Sequence, residues 1–166
     1  MLLRRGAREV VAVDVGYGQL AWSLASDPRV KVMDRTNARS ITPIVIGGPV
    51  DLVVADLSFI SLTVVLDALT GCLVPEGDLV VMVKPQFEAG KGAVGDGGVV
   101  RDPAVRASAV AKVAAKAHQI GLGMAGVVAS PLPGPAGNVE YFLWLRSGAD
   151  PPDDDAIAAA ISAGPQ

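Results

Sequence analysis

Apolar residues recur along this chain in short runs, each closed by a charged or turn-forming residue. Arg8 to Asp14 reads as a strand ending in the turn Gly16-Tyr17-Gly18. A short helix from Gln19 to Ser26 and a second strand from Val30 to Asp34 come next. Ile44-Val45-Ile46 is a brief extended or helical piece, stopped by Gly47-Gly48-Pro49. Leu52 to Asp56 is a third strand, Ile60 to Leu69 a helix, and Leu79 to Val83 a fourth strand. A glycine-rich loop then runs from Pro85 to about Val100. Asp102-Pro103 opens the longest helix, with Asp as N-cap and Pro at the first helical position, and Gly121 is its expected stop. The last two strands, Ala125 to Ala129 and Tyr141 to Leu145, are joined by a loop stiffened by Pro131, Pro133 and Pro135. Residues 1–148 read as one partial domain and 149–166 as a polar tail carrying a short alanine-rich helix to Ala163.

Strands alternating with helices, and strands rich in valine, predict an α/β fold with a mostly parallel sheet and an antiparallel last strand. In such a sheet the carboxyl ends of the parallel strands form the ligand crevice. Asp56 and Lys84 stand at two of those ends, and Glu140 precedes the last strand, whose amino end joins the same rim if that strand is antiparallel. A carboxylate, an amine and a second carboxylate are then expected to converge. Each has a plainer reading. Asp56 can cap the helix that follows it, Lys84 can be a solvated strand-end lysine, and Glu140 a polar strand start.

The 166 residues suit one domain with a real core, and the scarcity of aromatics (4%) favours α/β over all-β. A formal charge of -3 does not by itself suggest a nucleic-acid binder. Cys72 is the only cysteine, so an internal disulfide and a cysteine-rich metal site are excluded, and it is expected to pack as a small core residue. No stretch reads as a membrane span, and the start is too short for a signal peptide before charge resumes. A reducing, cytoplasmic setting is the expectation. His118 is isolated in a helix, and no metal site is visible. The loop Glu88 to Gly98 lacks the spacing of a phosphate-binding P-loop and reads better as a lid or a plain flexible loop.

From Val10 to Arg146 the sequence resembles TlyA-type ribosomal RNA 2′-O-methyltransferases, also called haemolysin A, of the wider FtsJ-like group. The resemblance rests on Asp14-Val15-Gly16-Tyr17-Gly18-Gln19-Leu20, Arg35-Thr36-Asn37-Ala38-Arg39 and Asp56-Leu57-Ser58-Phe59-Ile60-Ser61-Leu62. Val83-Lys84-Pro85-Gln86-Phe87-Glu88 and Ser130-Pro131-Leu132-Pro133-Gly134-Pro135, running on through Gly137-Asn138-Val139-Glu140-Tyr141-Phe142, complete it in the same order.

The resemblance implies methyl transfer from S-adenosylmethionine to a ribose hydroxyl of ribosomal RNA, with rRNA or ribosomal subunits as partners. It implies a Lys-Asp-Lys-Glu tetrad whose last three members match Asp56, Lys84 and Glu140. Lys84 would orient the hydroxyl or act as its base. The cofactor would meet Asp14, Asn37 and Asp56, and RNA phosphates would meet Lys91 and Arg101. A turn-forming aspartate is the plainer reading of Asp14. The family's first lysine, its central first strand with the glycine-rich turn, and its amino-terminal RNA-binding domain have no match here. The expectation is therefore a truncated chain of weak or no activity. Alternatives are a non-enzymatic remnant or partner-dependent module, a dinucleotide oxidoreductase of the same fold, and a pore-forming haemolysin. The last two lack a Gly-x-Gly-x-x-Gly helix opening and an amphipathic or spanning segment, respectively.

Overall fold

The computed structural model describes residues 1–165, with backbone alone for Lys91 and Asp96. The chain builds two sheets. β1 (Val10–Val13) pairs in parallel with β2 (Val30–Met33), the one-turn α1 (Trp22–Ala25) lying between them in sequence. α2 (Pro43–Ile46) leads to β3 (Val50–Ala55), α3 (Leu62–Gly71) and β4 (Leu73–Val83). After α4 (Pro85–Glu88) come α5 (Pro103–Gln119), β5 (Gly123–Ala129), β6 (Tyr141–Arg146) and α6 (Asp154–Ala163). The larger sheet has the order β3-β4-β6-β5.

An α/β fold with an antiparallel last strand is present. The sheet is divided, because no ladder joins β1 to β3, in keeping with the unmatched central strand. In the larger sheet only the last strand is reversed: β3 and β4 are parallel, and β6 runs antiparallel to both β4 and β5, which makes this sheet mixed. β6 enters between β4 and β5, so a single reversed strand makes two antiparallel ladders.

Alternation along the strands decides which face is buried. Val53-Leu79-Leu145 and Ala55-Val81-Leu143-Val127 are cross-strand rows on one face, and Leu79, Val81, Leu143 and Leu145 are fully buried. The buried positions of α3, α5 and α6 belong to the same core cluster: Leu62, Val65, Leu66 and Leu69, then Val110, Val113, Ala114 and Ala117, then Ile157 and Ile161. The three-and-four spacing of these positions makes each helix one-sided. The opposite rows, Val54-Val80-Trp144 and Met82-Phe142-Val128, hold exposed apolar side chains at Val54, Trp144 and Val128, and Leu52 opposite Asp78 is exposed as well.

Element boundaries differ from the expected ones where turns intervene. β4 begins at Leu73, not Leu79, because Leu73 pairs with Val50 before the Pro75–Gly77 excursion displaces the register to Leu52–Asp78. The first helix shrinks to Trp22–Ala25, and Ile44-Val45-Ile46 settles as a helix capped by Thr42. α5 starts as its sequence requires, with Asp102 Oδ1 accepting from Ala104 N at 2.8 Å. Cys72 is buried, and that burial pushes its thiol pKa up. No helix of the described residues is long and apolar enough to cross a membrane.

Candidate active site

β3 and β4 are parallel neighbours, so the residues that follow them leave the sheet at the same edge. Asp56 follows β3 and Lys84 follows β4, while Glu140 immediately precedes the antiparallel β6, whose Tyr141 is paired with Val83. Topology thus brings together three residues spread over 85 positions of sequence, and the side chains complete the meeting. Lys84 Nζ lies 2.7 Å from Asp56 Oδ1 and 3.8 Å from Glu140 Oε1. It also donates to Ser58 Oγ at 3.3 Å.

The three groups differ in exposure. The side chains of Lys84 and Glu140 are only 12% and 8% exposed, whereas that of Asp56 is 65% exposed. Asp56 therefore stands at the mouth and Glu140 at the back. The solvated-lysine reading fails on this burial, while Glu140 does stand at the start of β6, as its plainer reading has it. The capping reading of Asp56 fails as well, since the N-cap of α3 is Ser61, whose Oγ accepts from Thr63 N.

Glu140 is held from several sides. Gln86 Nε2 donates to its Oε1 at 3.3 Å, and its backbone oxygen accepts from Ser130 N. A Cβ on Gly134 would lie 2.7 Å from that same Oε1, so the glycine leaves room for the carboxylate. Asn138 fixes the preceding loop, accepting from Val100 N and donating to Gly98 O, both at 2.9 Å.

Sequence reasoning missed Ser58, Gln86, Gly134 and Phe59. Phe59 has φ +62°, rare for a residue with a side chain, and holds its ring 91% exposed beside Phe87, centroids 5.1 Å apart. Gln86 and Phe59 stand inside the strings that carry the resemblance, which attaches no role to either. The left-handed backbone leaves no mark in composition.

The candidate cofactor residues follow the smaller sheet. Asp14 leaves β1, and its Oδ1 accepts from Gly16 N at 2.7 Å, so the turn-forming role is real. Asn37 leaves β2 and caps the short turn Ala38–Ser40 by accepting from Arg39 N. Their loops interlock, as Thr36 N donates to Asp14 O and Gly18 N to Asp34 Oδ2. Arg101 is exposed beside the glycine-rich loop. The side chain of Lys91 lies outside the described residues. Among the described residues no cluster of three or more His, Cys, Asp or Glu could hold a metal ion.

Charged groups gathered from strand ends at one rim of an α/β sheet mark the broad α/β class whose ligands bind at that rim. Within it, the sequence profile of FtsJ-like methyltransferases matches residues 1–147, and the chain belongs to that family. It is 62% identical over 170 aligned positions, 99% of its own length, to the 16S/23S rRNA (cytidine-2′-O)-methyltransferase TlyA of Mycobacterium tuberculosis. The chain spans only 63% of that relative. Solved structures described as candidate hemolysins superpose closely. The one from Streptococcus thermophilus has TM-score 0.91 at 36% identity, covering 97% of this chain and 59% of that one. The one from Lactococcus lactis has TM-score 0.90 at 37% identity, covering 97% and 78%.

Proposed function

We propose that this chain carries the catalytic face of an S-adenosylmethionine-dependent 2′-O-methyltransferase acting on ribosomal RNA in the cytoplasm, with Asp56, Lys84 and Glu140 as its catalytic residues. The observation that carries the reading is the Lys84 ammonium lying between two carboxylates drawn from separate strand ends. The cofactor, when bound, supplies a methyl group already activated for displacement.

The protein's task is then alignment of one ribose hydroxyl, which is where most of the rate gain of such a transfer resides. An ammonium has three donors. Asp56 Oδ1 and Ser58 Oγ take two of them, and Glu140 at 3.8 Å lies beyond hydrogen-bond range, leaving one donor for the hydroxyl. Lys84 orients the hydroxyl, Asp56 fixes the ammonium from the open side, and Glu140 fixes it from the buried side.

The cofactor residues fit in kind. Asp14 commits one carboxylate oxygen to its turn and keeps a second for a ribose diol. Asn37 commits its Oδ1 and keeps its amide NH2 for a purine edge. Asp56, at the mouth, would stand nearest the reactive end. Exposed Arg101, with Lys91, would meet RNA phosphates. The unladdered inner edges of β1 and β3 support the reading that a central strand is lacking, which would leave transfer by this chain weak.

The test is transfer of labelled methyl groups to ribosomal subunits by this chain and by a version extended upstream, each with Lys84→Ala. Saturable cofactor binding and 2′-O-methyl product, lost by about a hundredfold or more in the variant, are expected. No product from either version, or product indifferent to the substitution, overturns the reading. A second reading, a partner-dependent module without activity, draws on the exposed Leu52, Val54, Val128 and Trp144. It requires no cofactor binding at all.

A further inference from the structure

The turn after Lys84 contains an acid that the proposed chemistry does not use. Glu88 ends α4, and its side chain is 1% exposed. An ionised carboxylate is costly to bury unless every oxygen is partnered. Here both are: Oε2 accepts from Ser61 Oγ at 2.5 Å and Oε1 from Leu62 N at 2.6 Å. Lys112 Nζ stands 3.8 Å from Oε2 and donates to the Glu88 backbone oxygen at 2.9 Å.

The partners matter because of what lies upstream of them. Ser61 and Leu62 open the ten-residue α3, and the loop leading into that opening carries Asp56, Ser58 and Phe59. Lys84 is the N-cap of the single-turn α4 and Glu88 is its last residue. The β3–α3 loop and the β4–α4 turn are therefore joined at both ends. Asp56 meets Lys84 at one end and Ser61-Leu62 meet Glu88 at the other, with Phe59 against Phe87 between.

We infer that Glu88 is a positioning residue, its buried carboxylate setting the separation of Asp56 and Lys84 by tying the start of α3 to the turn behind the lysine. A helix N-terminus attracts negative charge, so stabilising α3 alone would be served by an aspartate at its own N-cap. Drawing the anion from another strand's exit fixes two loops relative to each other. Short charge-assisted bonds tolerate little play. The strained backbone at Phe59 needs such an anchor, since a free loop would relax it.

The inference rests on the reading of Asp56 and Lys84 as site residues, but its test does not depend on turnover. A water-soluble carbodiimide joins a lysine amine to a carboxylate only when the two are in contact, and joined peptides are counted by mass spectrometry. The Lys84–Asp56 product is measured against the Lys116–Asp67 product in the same sample, that pair being 2.8 Å apart and set further along α5 and α3 than Glu88's own partners. Glu88→Ala should lower the ratio by about fivefold or more, and Ser61→Ala by about twofold, as effective concentration falls with looser geometry. Glu88→Gln, which keeps an acceptor for Leu62 N, should restore most of it. An unchanged ratio in Glu88→Ala overturns the inference. So does a parallel fall of both products, which would make Glu88 a support of the whole fold. Methyl transfer indifferent to Lys84→Ala would sink the catalytic reading and leave the cross-linking result standing.

Discussion

The two sheets of this molecule are built to different standards. β4 and β6 contribute six fully buried residues between them (Leu79, Val81, Val83, Tyr141, Leu143 and Leu145) beneath helices that bury whole faces. β1, β2 and α1 contain no buried residue at all. A two-stranded ribbon is marginal by itself, and this one leans on the core only through partly buried Val11, Val13 and Met33. The proposed division of labour follows that difference. The ammonium and its carboxylates sit on the rigid sheet, where ångström placement decides rate, while the proposed cofactor contacts Asp14 and Asn37 sit on the lighter one.

The widest gap is expected in amide exchange. Local opening free energies run from near zero up to the global value. Val11 and Val32 amides should therefore exchange at least about a hundredfold faster than those of Val81 and Leu143. Equal protection would dissolve the comparison. Substitution sharpens it. Leu66→Ala, at a fully buried position, should cost about 2–5 kcal/mol in denaturant unfolding. Val32→Ala, at 36% exposure, should cost under about 1 kcal/mol.

Much of this arrangement was legible in the chain, and for a physical reason. Valine runs and helix caps are local signals, so β3, α5 and β6 were placed within a few residues. Convergence of Asp56, Lys84 and Glu140 was legible because strand polarity alone sends their exits to one edge. The division of the sheet accords with the central strand that has no match in the sequence, although the ladders themselves leave no local signature. The start of β4 at Leu73 was not legible, hidden by Pro75 and Gly77 inside a strand that bulges around them. Glu88 was invisible as a partner of Ser61, since 27 residues separate them and either alone reads as a surface group.

The site supplies the middle-sized effects. Gly134→Ala places a methyl group against Glu140 Oε1, a carboxylate with little space to retreat. Overpacking of this kind costs about 1–3 kcal/mol, and it should also separate Glu140 from Lys84 in a crystal structure of the variant. An unmoved carboxylate would show that the loop yields instead. Cys72 probes the larger sheet without substitution. It is buried where α3 meets β4 and its thiol pKa is raised, so a thiol reagent should label it only when the core opens. Labelling in the native state as fast as that of a small free thiol would contradict the rigid half of the comparison.

The smallest effect belongs to the lighter sheet, where the turn into β2 is pinned by one ion pair. Asp27 Oδ1 accepts from Arg29 N and Nε, and Oδ2 from its NH2 at 2.7 Å. The Arg29 side-chain hydrogen bonds, with its backbone N–H and charge, hold the Asp27 carboxyl at about 2, below its ordinary 3.8. A depressed carboxylate stabilises the folded state above the unfolded value and loses that contribution as pH falls through the folded value. The window is therefore about pH 4 down to 2. Wild type and Asp27→Asn should differ slightly in thermal midpoint at neutral pH and converge across that window. The amide of Val30, which donates to Asp27 O, should report the change while those of β4 do not. A difference that persists unchanged to pH 2, or one shared by β4, would mean that the pair is coupled to the larger core and that the two sheets open as one.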